Sequence, residues 1–186
     1  HAFRVHIIAE TSEQLQAIIE DQLVRADLIV ISGESNDESF DLITSVISKL
    51  GEITTVTPNL AESGKHNYGL IGPDKTPVVT LPGDPIGNYL SAELFIRPMI
   101  LKMLAKSEIY RPGKKAKLSK AVSSTPGKSS YVRATINEDG QAVALGDQDL
   151  ISTLSNATCL ISLGEKIEKI AAGESVNLVM INQVQS

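Results

Sequence analysis

The stretch Leu81-Pro82-Gly83-Asp84-Pro85 sets one chemically capable side chain, Asp84, among residues that control the backbone. Two proline rings fix φ and remove N–H groups, and Gly83 is free to take a positive φ, so the pattern predicts a sharp turn from a buried strand into a helix. Such a turn leaves backbone N–H groups unpaired at the helix start. In open α/β sheets, anionic ligands bind there, beyond the carboxyl ends of the strands. A rigid connector with no ligand satisfies the same five residues. Other reactive types give less. His1, His6 and His66 lack metal-ligand spacing, and Cys159, the single cysteine, sits in an apolar stretch as a buried, inert thiol. The basic residues between Arg111 and Lys120 read as a solvated strand edge.

Two textures surround these residues. From Phe3 to about Lys106, strands and helices alternate. Arg4 to Ile8 reads as a strand, and Ser12 to Val24 as a helix capped by Ser12, with Leu15, Ile18, Ile19 and Leu23 at helical spacing. Asp27 to Ser32 is a continuous apolar strand that ends at Gly33. A second helix runs from about Asp37 to Leu50 and is closed by Gly51. Short strands follow at 53–58 and 78–81, then a helix at 86–104 interrupted at Pro98. This alternation predicts an α/β fold, a parallel sheet with helices on both sides. After Tyr110-Arg111-Pro112-Gly113 come short runs at 115–122, 130–136, 142–145, 157–163 and 175–181, separated by turn signals, which predict a small all-β barrel or sandwich. The expected domains are therefore residues 1–108 and 111–186.

Composition is that of a globular protein, with 42% hydrophobic and 21% charged residues. A net charge of −5 and short apolar runs argue against nucleic acid and membrane as partners. A lone cysteine fits a reducing cytoplasm. The chain starts without Met and shows no signal peptide, so it reads as a fragment or processed chain.

The motifs Ala26-Asp27-Leu28-Ile29-Val30-Ile31-Ser32-Gly33, Asp41 in the next helix, Leu81 to Pro85, and Glu93-Leu94-Phe95-Ile96-Arg97-Pro98 appear in this order. Pro126-Gly127-Lys128, Tyr131-Val132-Arg133, Leu154 to Ile161 and Ala172-Gly173-Glu174 follow. Together they resemble the C-terminal part of MoeA-type molybdopterin molybdotransferases, the family that includes the gephyrin E domain. The resemblance implies a cytoplasmic transferase of molybdenum cofactor biosynthesis, which inserts molybdate into adenylylated molybdopterin and releases AMP with magnesium (Mg2+) present. It also implies a homodimer, and a molybdopterin adenylyltransferase as the partner that supplies substrate. On the same basis Ser32, Gly33, Pro82, Gly83, Asp84 and Pro85 would line the pterin site. Asp41 would act at the magnesium or phosphoryl position, and Lys65 would hold phosphate or molybdate.

Several positions depart from the family pattern. Asp84 stands where the family usually has Asn, which keeps an acceptor but loses a donor. Glu34 and Glu38 take the place of glycines in the first anion-binding loop, and Glu62 that of a lysine in the second. Carboxylates lining the cleft would repel an anionic pterin, and on that basis a catalytically impaired paralogue, serving as a scaffold or small-molecule binding module, is the alternative function. The family's first Thr-Gly-Asp-Glu strand and helix, and its two N-terminal domains, have no counterpart in these residues.

Overall fold

The computed structural model describes residues 1–5, 11–34, 37–146, 148 and 151–181. The chain divides into two compact units, one of residues 1–58 and 64–84, the other of residues 59–63 and 85–186. The sequence expectation put the boundary near Arg111. The helical segment after Asp84 instead groups with the β-rich unit, because Ile86 and Leu90 are buried with Ala157, Leu160 and Ile181 in one apolar cluster. The five-residue excursion at 59–63 joins that unit through a bridge between Leu60 and Ser129.

The first unit opens with α1 (Ser12–Leu23), whose N-cap is Thr11 rather than Ser12. The Gln14 N–H donates to the Thr11 hydroxyl at 3.3 Å. The expected strand at 4–8 falls mostly outside the described residues, and residues 4 and 5 lie in no strand. Then follow β1 (Ile29–Glu34), α2 (Asp37–Leu50), β2 (Gly51–Val56), β3 (His66–Ile71) and β4 (Thr76–Pro82). The sheet order is β1-β4-β3-β2. β1 and β4 pair in parallel, whereas β4–β3 and β3–β2 are antiparallel.

The expected parallel sheet is thus corrected to a mixed one. β3 was not anticipated, and it turns the region after α2 into a meander. Its hairpin to β4 closes through Gly72-Pro73-Asp74-Lys75, with positive φ at Gly72 (71°) and Lys75 (54°). Within this unit, the described helices share one face of the sheet. α1 supplies Leu15 and Ile19, and α2 supplies Val46 and Ile47, to one core with Ile31, Ile71 and Val78. On the opposite face Val30, Tyr68 and Leu70 remain exposed.

In the second unit α3 (Pro85–Ser91) runs into a π-helical turn (Ala92–Ile96) and α4 (Arg97–Met103). The π turn precedes Pro98, which has no N–H to donate to the turn before it. The ladder widens so that the Arg97 N–H reaches Ala92 O. β5 (Gly113–Lys117), β6 (Val122–Ser123), β7 (Ser130–Ile136), β8 (Ala142–Ala144), α5 (Ser152–Asn156), β9 (Cys159–Leu163), β10 (Lys169–Ile170) and β11 (Ser175–Met180) complete it. Five strands form an antiparallel sheet in the order β5-β11-β9-β7-β8. The sheet curls into a half-barrel whose edges meet where Leu118 bridges Ala142. Its core is Leu118, Val132, Ala134, Cys159, Ile161, Leu163, Val176 and Leu178, the inward residues of alternating strands. The small β domain expected from sequence is present here.

Candidate site at the carboxyl end of the parallel pair

β1 and β4 point the same way, so their carboxyl ends lie side by side, and each is followed by the start of a helix. Ile31 is opposite Thr80, and Glu34 is opposite Pro82. β1 spends three steps where β4 spends two, so Ser32 and Gly33 form a bulge at the strand end. Ser32 is exposed, Pro82 buried, Gly83 half-buried and Asp84 exposed. Pro85 is exposed as the first residue of α3, and it groups with the second unit.

A second loop reaches the same end of the first unit. A Cβ built on Gly64 would stand 3.4 Å from Pro82 Cβ, which places this loop against the end of β4. The next residue, Lys65, extends to the first turn of α2. Its Nζ donates to Asp37 Oδ1 at 3.1 Å and lies 5.4 Å from the centroid of the Phe40 ring. Both partners of the ion pair are largely exposed, 51% for Lys65 and 85% for Asp37, so the pair is worth at most about 1 kcal/mol. An anion could take the place of Asp37 at little cost.

A buried polar network supports this loop. β3 and β4 are in ladder register from Tyr68–Val79 to Ile71–Thr76. At the site end, side chains take over. The Asn67 N–H donates to Thr80 Oγ1 at 2.8 Å, and His66 Nδ1 donates to the Thr80 carbonyl at 3.0 Å. Asn67 Nδ2 donates to Thr44 Oγ1 at 2.7 Å, and Asn67 Oδ1 accepts from Thr55 Oγ1 at 2.6 Å. Thr44 in turn donates to the Phe40 carbonyl at 2.7 Å. Asn67 and Thr80 are fully buried, and their satisfied groups lock rather than destabilise the core. Burial holds the His66 imidazole below its ordinary pKa, with the Thr80 carbonyl bond opposing the shift in part.

The structure therefore brings together Ser32, Gly33, Pro82, Lys65 and the first turn of α2. Asp41 lies one turn beyond Asp37 and is exposed. Among the described residues no group of three His, Cys, Asp or Glu side chains, with Asp41 or without it, is placed to hold a metal ion. Glu38 is exposed in the first turn of α2, Glu62 is half-buried in the excursion that groups with the second unit, and the side chain of Glu34 lies outside the described part. Sequence reasoning missed β3, the Asp37 pairing and the Asn67 network. The signal it passed over was the Gly72-Pro73-Asp74 turn between Leu70-Ile71 and Thr76 to Val79, which predicts a hairpin.

Comparison with known proteins decides the relationship. Residues 115–181 match the MoeA C-terminal region, domain IV. Across 97% of its length the chain is 29% identical to Molybdopterin molybdenumtransferase 1 of Mycobacterium tuberculosis. The chain is homologous to the C-terminal part of MoeA-type proteins. It is 27% identical, over 89% of its length, to Molybdopterin molybdenumtransferase 2 of the same organism. It spans under half of these MoeA-type relatives, 45% of the first and 42% of the second. Among solved structures, the molybdopterin biosynthesis MoeA protein from Pyrococcus horikosii superposes with a TM-score of 0.74 at 26% identity, covering 92% of this chain and 41% of that one.

Proposed function

We propose that the protein containing this chain is a molybdopterin molybdenumtransferase of molybdenum cofactor biosynthesis, inserting molybdate into adenylylated molybdopterin. The observation that carries the reading is the placement of Lys65 at the carboxyl ends of β1 and β4, in a chain aligned over nearly its whole length with proteins of that name. Lys65 is the cation that holds the substrate's phosphate or the molybdate. The Ser32-Gly33 bulge and the Pro82-Gly83 turn keep side-chain bulk away from the strand ends, so that the ligand meets backbone N–H groups. Asp84 is an acceptor for a neutral donor of the pterin.

Catalysis in this scheme is positioning and electrostatics: the cation and the N–H groups are fixed before the substrate arrives. The carboxylates of Asp37, Glu38 and Asp41 do not gather into a metal site among the described residues. A homodimer in the cytoplasm, receiving substrate from an adenylyltransferase, belongs to the same proposal and is supported by the motif resemblance. No helix of the described residues is long and apolar enough to cross a membrane.

The test is complementation. The full-length gene, placed in a strain lacking its molybdopterin molybdenumtransferase, should restore molybdenum cofactor. Full expression with no restored cofactor would overturn the assignment.

A further inference from the structure

We propose that Asn67, acting through Thr44, is a positioning residue that sets where the Lys65 ammonium stands. The inference rests on Lys65 being the anion-holding cation proposed above. Asn67 follows Lys65 by two residues and is fully buried, yet its polar groups reach three other elements of the same unit. Its backbone N–H meets Thr80 on β4, its carboxamide oxygen meets Thr55 on β2, and its carboxamide nitrogen meets Thr44 on α2. The strand register explains how. Ile31, Thr80, Asn67 and Thr55 form one row across the sheet, on the face that α2 covers.

From Thr44 the chain of bonds continues to the Phe40 carbonyl, one turn back along α2, and the Phe40 ring is the surface over which Lys65 Nζ lies. One connected set of hydrogen bonds thus fixes the start of β3, where Lys65 is anchored, relative to the turn of α2 on which Lys65 rests. Without it, α2 could shift against β3 by rotation or sliding and the ammonium would lose its fixed place at the strand ends. A side chain that only filled the core at position 67 would need none of these donors and acceptors. The use of Asn, with both ends of the carboxamide occupied, specifies one relative placement of α2, β2, β3 and β4.

The test measures binding of inorganic pyrophosphate, a stand-in for the substrate's phosphoanhydride, to the full-length protein by calorimetry. Thr44→Val keeps the shape of the side chain but removes both of its bonds, and Thr44→Ser keeps the hydroxyl. Thr44→Val should weaken binding about fivefold, on the scale of Lys65→Ala, and Thr44→Ser should restore it. In a Lys65→Ala background, Thr44→Val should have no further effect, because there is no ammonium left to place. A binding loss from Thr44→Val that is equally large in the Lys65→Ala background, and so independent of the ammonium, would overturn the proposal. Thr55→Val, at an exposed strand position, removes one Asn67 bond and provides the readout if Thr44→Val fails to fold. It should weaken binding by about twofold, and wild-type affinity in that variant would overturn the proposal. If Lys65→Ala itself binds as wild type, the reading of Lys65 falls. If Lys65→Ala weakens binding and Thr44→Val does not, only the positioning role falls.

Discussion

Lys65 Nζ lies 3.1 Å from Asp37 Oδ1, joining the loop before β3 to the first turn of α2 across 28 residues of sequence. The pair sits where an anionic ligand would need the same ammonium. Asp37 therefore competes with any anion bound there. Because the pair is exposed, the competition is weak: Asp37→Asn should tighten pyrophosphate binding by about threefold at low salt. The gain should shrink as salt screens the contact. Calorimetric titration at two ionic strengths measures it, and weaker binding by Asp37→Asn would show that the carboxylate orients Lys65 rather than occupying it.

His66 predicts a pH dependence of stability. Its folded pKa lies below the ordinary 6.5, so the unfolded chain takes up a proton more readily than the folded one. The sign follows: the stabilising difference is fully present above pH 6.5 and is lost as pH falls from there through the folded pKa. Denaturant titrations from pH 7.5 downward should show stability falling below about 6.5, and His66→Gln should flatten that decline. An equal slope in both proteins would mean that His66 is reached by water.

Cys159 is buried in the half-barrel, with its thiol pushed up in pKa by burial. A disulfide reagent should therefore label it only as fast as the second unit opens. Cys159→Ala should cost about 1–2 kcal/mol, the loss of a small buried side chain. Immediate labelling of the native protein would contradict the core placement.

Arg111 makes two 2.8 Å bonds to Glu93, with both side chains mostly buried at 17% and 16% exposure. Removing one partner strands the other, so Arg111→Ala should destabilise the protein by about 3 kcal/mol. The double replacement Glu93→Leu with Arg111→Leu should recover most of that loss. Thermal unfolding of the three variants decides it. A double variant as unstable as Arg111→Ala would show that the pair does more than satisfy itself.

The β-rich unit was legible because its strands follow the local rule of alternation between turn residues. Ser130 to Ile136 was delimited correctly, and the runs at 142–145, 157–163 and 175–181 differ from the observed strands only at their ends. β3 was not legible, because two of its buried residues are the polar His66 and Asn67. Their burial depends on Thr44, Thr55 and Thr80, and no local hydrophobic pattern records partners that distant. The same reason hid the mixed character of the sheet. In the candidate site, Leu81 to Pro85 was read correctly as a strand-to-helix turn, since proline and glycine act on their own backbone. The grouping of the following helix with the second unit was not legible. It rests on contacts of Ile86 and Leu90 with Leu160 and Ile181, some 70 residues or more away.

The central claim is that Lys65 holds the anionic substrate at the carboxyl ends of β1 and β4. Molybdate-dependent release of AMP from adenylylated molybdopterin by the full-length protein tests it most directly, comparing wild type with Lys65→Ala. The account predicts AMP release by the wild type, and a kcat/KM about tenfold or more lower in Lys65→Ala, as expected when a charge-assisted contact to the substrate is lost. Equal kcat/KM in the two proteins would contradict it.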